Sequence, residues 1–252
     1  MLTWCSYCQR FTGETPPYEN LLITHGMCRA CAREGLDISD ARHLQVTRLR
    51  TFYSALSAAG QAWDLAAARR IIEEARAADM RPVDVLVGIM APLLFEIGEQ
   101  WSRGEITVAD EHRFTAFCEQ VLGLVEQLAG PAPSREETAD YLLINAPGNR
   151  HTLGIRVLAL WLADRGCRVK AVDTPAEPDG LDRLIGLVKP KHLLISMALP
   201  EQRAAVATLA DRVGAWPEPG RPAVLVGGYA VKLGLVSDIP GARLMTDIHQ
   251  LE

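Results

Sequence analysis

The chain has 252 residues, of which 48% are hydrophobic and 23% charged, with a formal net charge of −5. That is long enough for two domains with cores of their own and too apolar for wholesale disorder. It is also too acidic for general attraction to nucleic acid. The N-terminus, Met1 to Cys5, shows no basic region followed by an apolar run, so no secretory signal is expected. The longest uncharged apolar stretch in the middle of the chain, Val85 to Phe95, has 11 residues and contains Pro92. A membrane span needs roughly 20. The expectation is a soluble, cytoplasmic protein with no membrane contact.

Four of the six cysteines fall in the first 31 residues, as Cys5-x2-Cys8, then 19 residues, then Cys28-x2-Cys31. Each CxxC knuckle turns two thiolates toward one tetrahedral ion, so residues 1–36 read as a small zinc-ribbon-like segment. Four thiolates leave no open coordination position, which makes the site structural, and a segment this short depends on its metal for folding. Zinc and iron both suit the donor set. His25 is an alternative ligand, although a surface turn position explains it more simply. Cys118 and Cys167 lie in apolar helical contexts and read as buried thiols. The pattern WCSYC…HGMCRAC resembles Cys-knuckle segments attached to bacterial signalling proteins. Within it Arg10, Arg29 and Arg33 balance Glu14, Glu19 and Glu34. Direct DNA binding is therefore not expected, and a role in protein–protein contact is.

Residues 37–130 have a helical period and few turn signals. The first helix is expected from Arg42 to Ala59, ended by Gly60. Asp64 caps a second through Ala78, with Leu65, Ala68, Ile71, Ile72 and Ala75 at helical spacing. After a turn at Asp79 to Pro82, a third runs from Val83 to Arg103. It carries Leu86, Ile89, Leu93, Leu94, Ile97 and Trp101 on one side, is kinked at Pro92 and is terminated by Gly104. Thr107-x-x-Asp110 resembles a capping box and opens a fourth helix through Leu128. Four helices with short connections predict a four-helix bundle. On the fourth, the apolar stripe Val125, Val121, Leu122 and Cys118 extends back to Thr115, Glu111, His112 and Val108. This expectation turns a carboxylate and an imidazole inward.

Residues 131–138 compose a linker, and the pattern then changes. Short apolar runs at Tyr141–Asn145, Arg168–Val172, Lys191–Met197, Ala223–Val226 and Ala242–Met245 alternate with helical stretches over 139–252. This predicts a doubly wound, mostly parallel sheet of flavodoxin-like type. Such sheets bind ligands at the carboxyl ends of their strands, so the informative loops are those after Asn145, Ile195 and Val226.

Those loops hold Asn149-x-His151-x-x-Gly154, Ser196-x-Ala198 and Gly227-Gly228, with 41 residues between Gly154 and Ser196 and 28 between Ala198 and Gly227. This constellation resembles the cobalamin-binding Rossmann-like domain, whose signature is D-x-H-x-x-G, S-x-(L/T) and G-G at similar separations. The resemblance implies His151 as the lower axial ligand of cobalt, with Ser196, Gly227 and Gly228 lining a slot for the cofactor's displaced nucleotide tail. Asn149 stands where the family has the aspartate that orients the histidine, which leaves a neutral group beside the ligand. Ala198 replaces the usual leucine or threonine.

In the helical region, Trp101-x9-Glu111-His112 with Val108 resembles the upper-face motif of CarH-like cobalamin regulators. In these light-sensing proteins a helical bundle covers adenosylcobalamin, and such residues surround the adenosyl group. The resemblance spans roughly residues 45 to 250. It implies a sensor whose cobalt–carbon bond is broken by light, freeing the bundle and changing a self-assembly or partner surface. Ser102 occupies the position of the histidine that traps the family's photoproduct. The family's DNA-reading helix-turn-helix is replaced here by the Cys-rich segment. The alternative is a corrinoid subunit that carries a methyl group between methyltransferases. Such proteins share the His151 loop but have no need of the Trp101 motif. A haem sensor fits the tail-slot spacing less well.

Overall fold

The computed structural model describes residues 1–18, 20, 22–37, 39, 43–129, 138–172 and 178–251, in two compact units, 1–131 and 132–252. The start of the first expected helix at Arg42 and the expected linker at Gly130 to Glu137 lie outside the described residues.

The first unit begins with a three-stranded sheet, ordered β2-β1-β3, from β1 (Leu2–Cys5), β2 (Phe11–Glu14) and β3 (Ile23–Gly26). A one-turn helix α1 (Arg29–Arg33) follows, its first turn capped by the Cys28 sulfur, which accepts from the Cys31 N–H at 3.5 Å. Then come α2 (His43–Ala62), α3 (Leu65–Ala77), the short α4 (Pro82–Val85), α5 (Ala91–Ser102) and α6 (Val108–Ala129). Two of the expected caps form as drawn. Asp64 Oδ1 accepts from Ala67 N–H at 2.8 Å. Thr107 and Asp110 exchange a reciprocal pair, Thr107 N–H to Asp110 Oδ2 at 3.0 Å and Asp110 N–H to Thr107 Oγ1 at 3.2 Å. Gly104 ends α5 with a φ of +71°.

Two features differ from expectation. Helix α2 runs through Gly60 to Ala62. The glycine is a packing notch and not a stop: a Cβ there would lie 2.3 Å from Cε2 of Phe114 on α6. The third helix is continuous from Pro82 to Ser102, but Leu86–Met90 form a π turn in which Ala91 N–H reaches back to Leu86 C=O. A wider turn at this point accommodates Pro92, which has no N–H to donate and whose ring crowds the preceding turn.

The second unit is a five-stranded, all-parallel sheet, ordered β5-β4-β6-β7-β8. Its strands are β4 (Tyr141–Asn145), β5 (Val169–Val172), β6 (His192–Ser196), β7 (Ala223–Gly227) and β8 (Arg243–Leu244), connected through α7 (Leu153–Ala163), α8 (Pro178–Val188), α9 (Arg203–Gly214) and the short α10 (Tyr229–Lys232). The central strands are buried on both faces, as the unbroken apolar runs require. Leu142, Ile144, Leu193, Ile195 and Val226 meet Leu181, Ile185, Val206 and Leu209 in one core. At the amino edge, Arg168 and Lys191 flank Asp140 and hold its carboxyl well below the usual carboxylate range. The order places the reversal of winding between β4 and β6. Among the described residues no helix is long and apolar enough to cross a membrane.

The notch at Gly60 yields a test. Helix propensity alone favours Gly60→Ala by about 1 kcal/mol, but overpacking against a buried ring costs about 1–3 kcal/mol. We expect the variant to lose stability, with a lower urea midpoint for the helical unit. A raised midpoint would mean that Phe114 yields freely.

Candidate functional site

The parallel register aligns Asn145 with Ser196 and Ser196 with Gly227, so the three informative loops leave three adjacent strands side by side. The expected site residues of this unit come together on that edge. Asn149 is 1% exposed. Its Nδ2 donates to the Ser196 carbonyl at 2.9 Å and to Asn145 Oδ1 at 3.4 Å, while its Oδ1 accepts from the His151 N–H at 3.0 Å. The side chain thus ties the β4 loop to the end of β6 and shapes the backbone of His151. This corrects the simple substitution of Asn149 for an aspartate oriented on the imidazole, because the amide's polar atoms are committed to backbone and Asn145. The His151 ring itself is exposed, immediately before α7.

Gly154 lies exposed in the first turn of α7, with open space where a Cβ would stand. Gly228 is required by the chain's own packing, and Gly227 stands in a tight place. A Cβ on Gly227 would sit 3.2 Å from the Met245 carbonyl, and one on Gly228, whose φ is +107°, would lie 2.5 Å from the Met197 carbonyl. Ala198 is positioned by a residue that sequence reading missed. The buried Gln202 accepts from Ala198 N–H at 3.0 Å and Leu199 N–H at 3.1 Å through Oε1. A glutamine three residues after Leu199, just before a helical run, was the available signal. The edge is therefore lined by small side chains beside one exposed imidazole. Nitrogen donation from imidazole to a transition metal and a shallow, small-residue edge for a flat heterocycle fit a corrinoid.

In the helical unit the outcome differs from expectation at one point. The buried stripe of α6 is Phe114, Phe117, Cys118, Val121, Leu122 and Val125, and it stops one turn short of the helix start. His112 does not turn inward, its side chain being 75% exposed, whereas the Glu111 side chain is largely covered at 22% exposure, with its Oε2 3.6 Å from His112 Nε2. Glu111 Oε1 accepts from Thr115 Oγ1 at 2.8 Å. Trp101 is 49% and Val108 52% exposed. Ser102 is exposed and its hydroxyl donates to the Glu99 carbonyl within α5.

The third group is the cysteine cluster. Cys5, Cys8, Cys28 and Cys31 are free thiols whose sulfurs all lie within 4.8 Å of one another. Cys5 and Cys31 are 3.8 Å apart, as are Cys8 and Cys28. Four sulfurs about 2.3 Å from one tetrahedral ion stand about 3.8 Å apart, so the geometry fits such an ion. Burial opposes a thiolate at Cys5, but backbone N–H groups of Cys8, Cys28 and Tyr7 outweigh it and pull the thiol down to about 7. Burial pushes Cys8 up to about 11 and Cys31 higher, with neighbouring sulfurs adding to the shift. A cation bound among these sulfurs would favour their thiolate forms. His25, on β3, is not among the clustered donors.

Asn149 offers a test of the edge. Asn149→Asp sets a carboxylate oxygen against two acceptors and is expected to cost on the order of 3 kcal/mol at neutral pH. Burial raises the folded-state pKa of the new carboxyl above its unfolded value of about 3.9, so the deficit grows as pH rises and shrinks as pH falls into the carboxylate range. Denaturation of the variant and parent at several pH values checks this, and a pH-independent difference would contradict it.

Comparison with known proteins bears on both units. A family described as "B12 binding domain" matches residues 53–126, which lie in the helical unit. Over 182 residues the chain is 27% identical to the HTH-type transcriptional repressor CarH of Myxococcus xanthus, covering 72% of this chain and 59% of that protein. The chain thus spans about three fifths of that relative's length. Over 162 residues it is 26% identical to an uncharacterized 20.5 kDa protein of Rhodobacter capsulatus, from the bchF-crtJ intergenic region, covering 64% of this chain and 83% of that one. Among solved structures, the Methanosarcina barkeri monomethylamine corrinoid protein superimposes with a TM-score of 0.66, at 14% identity, over 80% of this chain and 95% of that one. That likeness is one of fold. Residues 53–126 thus match a B12-binding family, and the helices and parallel sheet have the fold of corrinoid proteins.

Proposed function

We propose that the chain binds adenosylcobalamin and works as a light-responsive signalling regulator and not as an enzyme. The observation that carries this reading is the exposed imidazole of His151 on the sheet edge where the winding reverses, in a chain whose residues 53–126 match a B12-binding family. In this reading His151 is the lower cobalt ligand. Asn149, Gly154, Ser196, Ala198, Gly227 and Gly228 form the edge that takes the nucleotide tail. Trp101, Val108, Glu111 and His112 receive the adenosyl group: the first two offer apolar surface, the last two hydrogen-bonding groups beside it. When bound, this cofactor supplies a cobalt–carbon bond that visible light breaks. Trp101 and Val108, covered in one state and bare in the other, make the helical unit a two-state element whose assembly or partner contacts the ligand biases. The name of the Myxococcus relative, a transcriptional repressor, supports a regulatory role. A homo-oligomer or a protein partner is the expected output. In the same reading Cys5, Cys8, Cys28 and Cys31 hold a structural Zn2+.

A second reading, a corrinoid methyl carrier, draws on the fold likeness to the monomethylamine corrinoid protein. A methyl group is too small to cover Trp101 and Val108, which favours the first. The two separate in one experiment. Adenosylcobalamin and methylcobalamin are added in the dark, and spectra and size-exclusion profiles are recorded before and after green light. Preference for the adenosyl form with a light-dependent change of assembly is expected. Methyl transfer to a thiol acceptor, without such a change, would establish the carrier instead. His151→Ala is expected to keep the fold and lose the spectrum of histidine-ligated, base-off cobalamin; an unchanged spectrum would remove His151 as the ligand.

A further inference from the structure

The cysteine cluster is joined to the helices through two aromatic side chains that no part of the cobalamin reading uses. Trp4 immediately precedes Cys5 on β1, and Phe11 opens β2. Both are buried, Trp4 at 1% and Phe11 at 2% exposure, in an edge-on pair with centroids 5.5 Å apart. They fill a notch at Gly88, in the middle of the π turn. A Cβ on Gly88 would lie 2.3 Å from Trp4 Cζ2 and 2.9 Å from Phe11 Cδ2. The π turn leads without interruption into α5, which carries Trp101 in its last turn.

The small sheet has little apolar interior of its own: β3 is not buried, and Leu22 and Met27 are exposed. What fixes its shape is the convergence of four sulfurs from two distant knuckles, with the Cys28 N–H donating to Cys5 Sγ at 3.4 Å. β1, paired on both sides with β2 and β3, ends at Cys5, so the cluster holds the strand one residue beyond Trp4. A wide turn is in turn a weak point of a helix, with fewer well-formed backbone bonds than the α-helical turns beside it. A rigid indole seated in it decides which course the helix takes.

We propose that loading the Cys5/Cys8/Cys28/Cys31 cluster with a zinc-class divalent cation locks Trp4 and Phe11 into the Gly88 notch, so that the metal fixes the π turn and the course of the helix that ends near Trp101. The metal site then serves as a clamp on the helical unit, sensitive to metal supply. This rests on the reading of the cluster as a metal site and is independent of the cobalamin reading.

The test uses the full chain without cobalamin. Metal content is measured first, and hydrogen–deuterium exchange is then compared between zinc-loaded and chelator-stripped protein under reducing conditions. One zinc per chain is expected. Stripping is expected to speed exchange across Leu86–Met90 and the start of α5 by roughly tenfold or more, with α3 and the Val121 region of α6 unchanged. Gly88→Ala, which touches no ligand, is expected to keep one zinc and still reproduce the fast exchange at the π turn. Absence of bound zinc would remove both the metal reading and the clamp. Bound zinc with unchanged exchange on stripping would overturn the clamp alone, as would loss of protection spread evenly over α3 and α6, or a Gly88→Ala variant with parental exchange.

Discussion

The candidate site depends on one buried amide. Asn149 lies in a loop, where nothing in a helix or strand would hold it, yet it is as buried as the core. It stays there because its Nδ2 finds the Ser196 carbonyl and its Oδ1 the His151 N–H. A buried side-chain amide without partners costs several kcal/mol, so the loop's conformation and these bonds stand or fall together. The Ser196 carbonyl also accepts from Ala146 N–H, which fastens both ends of the β4 turn to the same strand end. The result is a rigid platform at the sheet's reversal point from which a single imidazole projects. That arrangement separates the roles of two neighbouring residues: Asn149 is structural and buried, while His151 is exposed.

Much of the sheet unit was legible in the sequence, and the reasons are physical. The central strands β4, β6 and β7 are largely buried and show as apolar runs, while the less buried edge strands β5 and β8 carry Lys170 and Arg243; all five could still be read to within one residue. Caps were legible at Asp64 and at Thr107 with Asp110, because cap chemistry is local. What could not be read was anything that depends on a partner distant in sequence. Gly60 has the local signature of a helix stop and acts as a notch for Phe114, 54 positions away. Gly88 gives no local sign that Trp4 and Phe11 occupy it. The inward turn assigned to His112 extrapolated the stripe too far, while the neighbouring Glu111 side chain is largely covered. Periodicity shows where an apolar face runs, but only packing shows where its neighbours end.

The same distinction bears on how the first unit is built. Its N-terminal sheet and its helices look unrelated in composition, yet Trp4 and Phe11 are buried against Gly88 within the π turn, where a Cβ would leave them no room. Conversely, the wide turn at Leu86–Met90 would expose apolar surface at Gly88 without them. Each element is incomplete alone: the sheet lacks a core, and the helix carries an irregular turn beside Pro92. Their mutual burial resolves both, which is why the two form one compact unit despite their different chemistry.

The motif residues of the sheet edge also carry unequal weight. Gly227 and Gly228 match a cobalamin signature, but without any ligand the Met197 carbonyl accounts for Gly228 and the Met245 carbonyl crowds Gly227. Ser196 contributes its backbone to the Asn149 clamp, and Ala198 is held by Gln202. These positions would be small or glycine in any chain that closed its sheet in this way. His151 has no such internal reason. Its residue is exposed and its ring forms no hydrogen bond among the described residues, while its N–H alone serves the loop. Many residues could supply that N–H, and few could supply a metal-binding nitrogen on the ligand edge of a doubly wound sheet. The functional weight of the motif therefore rests on the one residue the fold does not need.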